Sequence, residues 1–209
     1  MGPEFLAISI LILLFSVILH EVMHGYVALR FGDHTAENAG RLTLNPIPHI
    51  DPVGTILLPG LLLVSGSPFL FGWAKPVPVN PLNFKDIRKG ELLVSLAGIL
   101  SNLFLAVLGT VLFHISASLD ASALTLRLLF FMVNINLLLA VFNLIPIPPL
   151  DGSKVLMSQL PFHLAREFQK LEQYGFILLV LLMFPFGGTS ILGAILGTST
   201  SFLLKLLGF

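Results

Sequence analysis

Five long stretches of this chain are free, or nearly free, of Asp, Glu, Lys and Arg, and that pattern leaves few architectures open. Residues 6–29 are interrupted only by His20, Glu21 and His24, and residues 52–74, 92–119, 128–150 and 173–204 contain none of the four charged types. A helix needs ~20 mainly apolar residues to cross a bilayer, so each stretch is long enough to span. Hydrophobic residues make up 56% of the sequence and charged residues 11%. Soluble domains are roughly a quarter charged, so polar side chains are too few here to cover a soluble core. The expected fold class is an all-α polytopic membrane protein with about five to six membrane helices.

Net charge is zero and cysteine is absent. The first gives no basic face for nucleic acid; the second excludes disulfides, thiolate ligands and a cysteine nucleophile. Residues 1–5 (MGPEF) read as a cloning remnant, and the first apolar run lacks the basic flank of a cleavable signal peptide. The expectation is one membrane domain over residues 1–209, with a motif-bearing core at about 6–155. Residues 156–209 are expected to add an interfacial helix near Arg166–Glu172, where charge and apolar residues alternate, and C-terminal membrane helices. Gly187-Gly188 suggests two elements, or a bent one, and marks this region as a gate candidate.

HEVMH at residues 20–24 is the strongest local signal. Positions i and i+4 share a helix face, so His20 and His24 can bind one Zn²⁺, with Glu21 placed as general base on its water. Ionisable residues inside an apolar helix are costly and mark function by default. The rival is a buried polar network joining helices, a task that neutral polar residues do at lower cost. A catalytic zinc takes three protein ligands and keeps a position for water. His34, His49, His114 and His163 remain, and Asp151 in NLIPIPPLDG is a further candidate. Pro146, Pro148 and Pro149 end the helix near Asn143, and Gly152 permits a sharp turn. Taken alone, an Asp-Gly pair after prolines reads equally well as a plain turn.

HEVMHG, SLAGILSN at 95–102 and FNLIPIPPLDG at 142–152 together resemble the site-2 protease family of intramembrane zinc metalloproteases, in a compact form without PDZ or nucleotide-sensing domains. The resemblance implies that His20, His24 and Asp151 hold one zinc ion per chain and that Glu21 is catalytic. Gly98 to Asn102 is similar to the family's G-P-x-x-N element, with Ile99 in place of proline. Asn102 and Asn143 are candidates to hydrogen-bond substrate backbone or the developing oxyanion, with interhelical bonding as the rival for each. Asn136, seven residues before Asn143, is assigned a structural role.

Three ligands can share a metal only at one membrane level. If residues 52–74 crossed fully, Asp151 would emerge opposite His20; if they form a re-entrant loop or hairpin, two later crossings return it. The prolines and glycines of 52–74 agree with re-entry. So do Arg30, Arg41, Lys75, Lys85, Arg88, Lys89, Lys154, Arg166 and Lys170, which then share one, cytoplasmic, side. The metal is expected inside the membrane nearer that face, in a prokaryotic cell membrane. Loops 44–52 and 72–81 either line a substrate cleft, offering an edge strand, or are interfacial turns. His49 is expected as an interfacial polar residue, His114 as packing and Trp73 in an aromatic belt. By resemblance the substrate is a transmembrane segment of another protein, cut in regulated intramembrane proteolysis, with substrate choice left to loops or a separate regulatory partner. A metal transporter, which needs no Glu21, and a catalytically silent relative are the rival classes.

Overall fold

The computed structural model describes residues 2–65, 72–186 and 189–209. Among the described residues three helices are long and apolar enough to cross a membrane: α1 (Pro3–Arg30), α4 (Ile87–Ser118) and α5 (Ala123–Leu144). At 1.5 Å per residue even the shortest, α5, is ~33 Å long, about one hydrocarbon core. Between α1 and α4 lie α2 (Thr35–Asn38), a π-helical turn at Pro52–Leu57 and α3 (Leu58–Val64). After α5 come α6 (Asp151–Gln159), α7 (Phe162–Gln169), α8 (Glu172–Met183) and α9 (Ile191–Leu206). A two-residue antiparallel pairing of Pro185–Phe186 with Thr189–Ser190 joins α8 to α9.

The long helices begin and end on local chemistry. Pro3 at the first turn of α1 needs no N–H partner, and the helix therefore includes part of the segment set aside as a remnant. It stops where Gly32 takes φ +99. There Gly32 N donates to Leu29 O and Asp33 N to Ala28 O, the paired bonds of a Schellman end. Asp86 caps α4 by accepting from Lys89 N, and Ser122 caps α5 by accepting from Thr125 N. α4 thus starts before the uncharged run at 92, with Arg88, Lys89 and Glu91 in its first turns. α5 ends at Leu144, where the proline run forbids continuation.

α4 is the central helix and packs on α1, α5 and α6. Ala106, Val133 and Leu137 are buried where α4 meets α5, covered by Leu203, Leu204, Leu207 and Phe209 of the C-terminal region. A second cluster, Ala28, Phe84 and Val94, packs at the C-terminal end of α1. Large apolar side chains such as Leu11 and Phe104 remain exposed on the long helices, the surface a bilayer covers.

Several expected boundaries shift. Where an interfacial helix is expected near 166–172 a helix runs over Phe162–Gln169, and the 173–204 stretch holds two helices of 12 and 16 residues. These two, and Pro52–Leu62, are apolar but shorter than a full span. Gly187-Gly188 and residues 66–71 of the 52–74 segment lie outside the described residues. The ends of that segment stand side by side: Trp73 N donates to Gly54 O, Lys75 N to His49 O and Thr55 Oγ1 to Trp73 O.

Candidate metal centre

His20 and His24 occupy one face of α1 and turn toward α4 and the start of α6. Gly98 on α4 makes this possible, because a Cβ there would lie 2.5 Å from His20 Cε1 and 2.6 Å from His24 Nε2. Asp151 is the first residue of α6, brought in by Gly152, where a Cβ would meet Leu144 O at 2.2 Å. That glycine is used for close approach to the end of α5 rather than for a turn. Likewise Gly175 lets α8 rest on Pro148 O, beside the same loop. His20, His24 and Asp151 are buried, at 7%, 9% and 8% exposure.

Their ligand atoms converge. His20 Nε2 and His24 Nε2 are 3.0 Å apart, and Asp151 Oδ2 lies 3.1 Å from the first and 3.2 Å from the second. The hydrogen bonds behind the rings decide what those atoms carry. His24 Nδ1 lies 2.6 Å from Val94 O, which can only accept, so Nδ1 holds the proton. His20 Nδ1 lies 2.7 Å from Asn102 Oδ1 and donates to it. Both Nε2 atoms then present bare lone pairs to a carboxylate oxygen that, among the described residues, has no hydrogen-bond donor of its own. Three lone pairs at this separation repel unless a cation lies among them. A shared proton relieves one pair; a tetrahedral zinc, whose ligands at ~2.0–2.2 Å stand ~3.3 Å from one another, serves all three. The residues fit a zinc ion.

Glu21 is held separately. Its Oε2 accepts from Val77 N at 2.8 Å, and among the described residues no hydrogen bond reaches Oε1. Val77 belongs to an extended segment after Gly72 that buried charged side chains pin at both ends. Arg41 donates through Nη2 to Lys75 O at 2.6 Å. Asp33 accepts from Asn80 N at 2.7 Å and from Asn83 Nδ2 at 2.7 Å. Burial alone would raise the Asp33 pKa, but these donors, with the Thr35 hydroxyl and N–H, hold its carboxyl below the usual range. Gly25, directly after HEVMH, leaves the room that Val77 Cγ1 occupies, 2.9 Å from where a Cβ would be.

His20, His24, Asp151 and Glu21 line one cavity of about 760 Å³, bounded also by the 76–84 segment, the first turns of α4 and one side of α6 and α7. Arg88, Glu91, Lys154, Arg166 and Glu172 make its outer part polar. Asn143 lines it too and donates to Leu139 O, which leaves a second amide hydrogen. Asn102 does not line it. It is fully buried behind His20, with its NH₂ given to Asn136 Oδ1. His49 is buried as well, with Nε2 donating to Thr43 O. His114 packs on Phe209. Ser16, Val77 N and the Val94 carbonyl join the site without belonging to any of the motifs. Ser16 had a signal, standing four residues before His20 as His20 stands before His24; the two backbone groups had none.

A helical membrane protein whose apolar helices enclose two histidines and an aspartate at one point is the class that fold and site define. The chain belongs to peptidase family M50, the site-2 proteases. The family model matches residues 111–185. YwhC of Bacillus subtilis (strain 168), whose name assigns it provisionally to the zinc metalloproteases, is 41% identical over 203 residues, covering 94% of this chain and 89% of that protein. Rip2 of Mycolicibacterium smegmatis, named with the same provisional assignment, is 35% identical over 171 residues, 81% of this chain and 64% of its own. Zinc metalloprotease MJ0392 of Methanocaldococcus jannaschii is 27% identical over 154 residues, 74% of this chain and 34% of its own. No solved structure matches the chain.

Proposed function

We propose that this protein is a zinc metalloendopeptidase that cuts peptide bonds in membrane-spanning segments of other proteins. His20, His24 and Asp151 hold one zinc ion and Glu21 moves the proton. Class and metal rest on membership of the peptidase family and on relatives named as zinc metalloproteases. The site assignment rests on one observation: three buried lone pairs facing one another at 3.0 to 3.2 Å.

When bound, zinc polarises the scissile carbonyl and makes its water acidic. Glu21, anchored through Oε2 on Val77 N, uses Oε1 to take the proton from the attacking water and then gives it to the leaving amine. The free amide hydrogen of Asn143 is suited to bond the substrate backbone. A peptide bond in an intact helix is shielded, so the substrate segment unwinds locally before Glu21 can act on it. Substrate choice is assigned to the loops, the membrane helices or a separate regulatory partner.

The orientation belongs to the same proposal. Residues 52–74 enter and leave from the cytoplasmic side, which the bonds between Trp73 and Gly54 and between Lys75 and His49 support. From Phe5 to His20 a helix rises ~22 Å of a ~30 Å hydrocarbon core. The zinc therefore lies below the surface and nearer the cytoplasm, and the polar outer cavity admits water.

The test pairs cleavage with metal content. Glu21→Gln should keep one zinc per chain and cut a transmembrane substrate ~10²-fold more slowly or worse. Wild-type cleavage by Glu21→Gln would remove Glu21 as the base. Zinc flux into liposomes without cleavage by the wild type would replace the protease with a transporter.

A further inference from the structure

We propose that Asn136 is a positioning residue for the metal centre, acting through Asn102 to set which nitrogen of His20 carries the proton. The inference rests on the metal-centre reading above and extends it to a residue outside every motif.

The direction of the hydrogen-bonded chain follows from its ends. Met132 O can only accept, so Asn136 must turn its NH₂ toward it, at 2.9 Å. The same NH₂ donates to Ser16 Oγ at 2.9 Å, whose hydroxyl proton is directed to Ile12 O at 2.8 Å. Asn136 Oδ1 is thereby left facing Asn102 and accepts from its Nδ2 at 3.0 Å. Asn102 must then show its oxygen to His20, where it accepts from Nδ1 at 2.7 Å. Two backbone carbonyls, one on α1 and one on α5, thus fix the His20 tautomer through three side chains. Ser16, Asn102 and Asn136 are buried, at 1%, 0% and 0% exposure, so water does not compete.

Simple glue between helices needs no direction, whereas this chain has one and ends on the ring of a ligand. Without Asn136, the Asn102 amide can turn over and present NH₂ to His20 Nδ1. The ring proton then moves to Nε2 and blocks the lone pair that faces Asp151 and His24. Partners behind a metal-bound histidine typically change metal affinity ~10–100-fold when lost.

The experiment uses the full chain in detergent, with cobalt(II) as the probe. Asn136→Leu should bind cobalt ~10-fold more weakly and shift its visible absorption. Asn136→Asp, which keeps an oxygen for the Asn102 amide, should stay within ~3-fold of wild type. In metal-free wild type, ring ¹⁵N shifts should place the His20 proton on Nδ1, and in Asn136→Leu on Nε2. Wild-type affinity, absorption and tautomer in Asn136→Leu would make Asn136 a packing residue, whatever its melting temperature. If that variant does not fold, a wild-type His20 proton on Nε2 overturns the inference alone. Failure of the metal-centre reading has a separate sign, undiminished cobalt binding in His24→Ala.

Discussion

A methyl group at position 98 would stand 2.5 Å from His20 Cε1, 2.6 Å from His24 Nε2 and 2.7 Å from His20 Nδ1. α4 cannot yield without losing its packing on both α1 and α5, so the imidazoles must move. Gly98→Ala should therefore weaken zinc binding ~10-fold or more in a chelator competition. Gly197→Ala, where nothing lies within 4 Å, should leave it unchanged. Equal zinc affinity in the two variants would mean that the close approach does not matter. At this scale the sequence was legible where chemistry follows spacing: HEVMH puts two ligands and a carboxylate on adjacent turns of one helix. It was not legible where orientation depends on distant partners. Asn102 has a side chain of the type that suits an oxyanion donor, but its amide direction is set by Asn136 on another helix. Gly152 resembles a plain turn residue in sequence, because the backbone oxygens of Leu144 and Ile145 that crowd it become neighbours only once α6 folds back on α5.

The extended segment around Val77 has the weakest sequence signature and holds the proposed base. It has no regular ladder of its own, and its position comes from Arg41 on Lys75 O and Asp33 on Asn80 N, both more than thirty residues away. No periodicity encodes such anchoring, so the sequence of the 72–81 loop fits a cleft wall and an interfacial turn equally well. Asp33 gives it a pH dependence. Its folded pKa is depressed, so its stabilisation is fully present above the unfolded value of ~3.9 and is lost as pH falls through the folded one. Asp33→Ala strands several donors and should cost ~1–3 kcal/mol. The melting-temperature gap between wild type and variant in detergent should be constant near neutral pH and close below pH ~4. A gap that widens on acidification would reverse the assigned sign. α6, α7 and α8 were blurred for another reason: short helices following one another in a half-polar stretch offer too few turns for a period to show their ends.

For the whole molecule, the three long helices were legible because ~20 apolar residues have few uses other than crossing a bilayer. The course of 52–74 was harder, since hydropathy argues for a crossing and the shared metal against it. Single cysteines at 51 and 75 in this cysteine-free chain give the answer in sealed, right-side-out vesicles. Both should be protected from an impermeant thiol reagent until the vesicles are opened; labelling of 75 alone from outside would contradict re-entry. Parity matters because it allows α1 and α6 to bring ligands to one point, and that point is the centre of the account. Zinc K-edge X-ray absorption on purified protein tests it most directly. The wild type should hold one zinc per chain with two imidazole nitrogens and oxygen ligands at ~2.0–2.2 Å. Asp151→Ala should lose a carboxylate oxygen and most of the metal. A zinc stoichiometry and spectrum unchanged in both Asp151→Ala and His20→Ala would contradict the account.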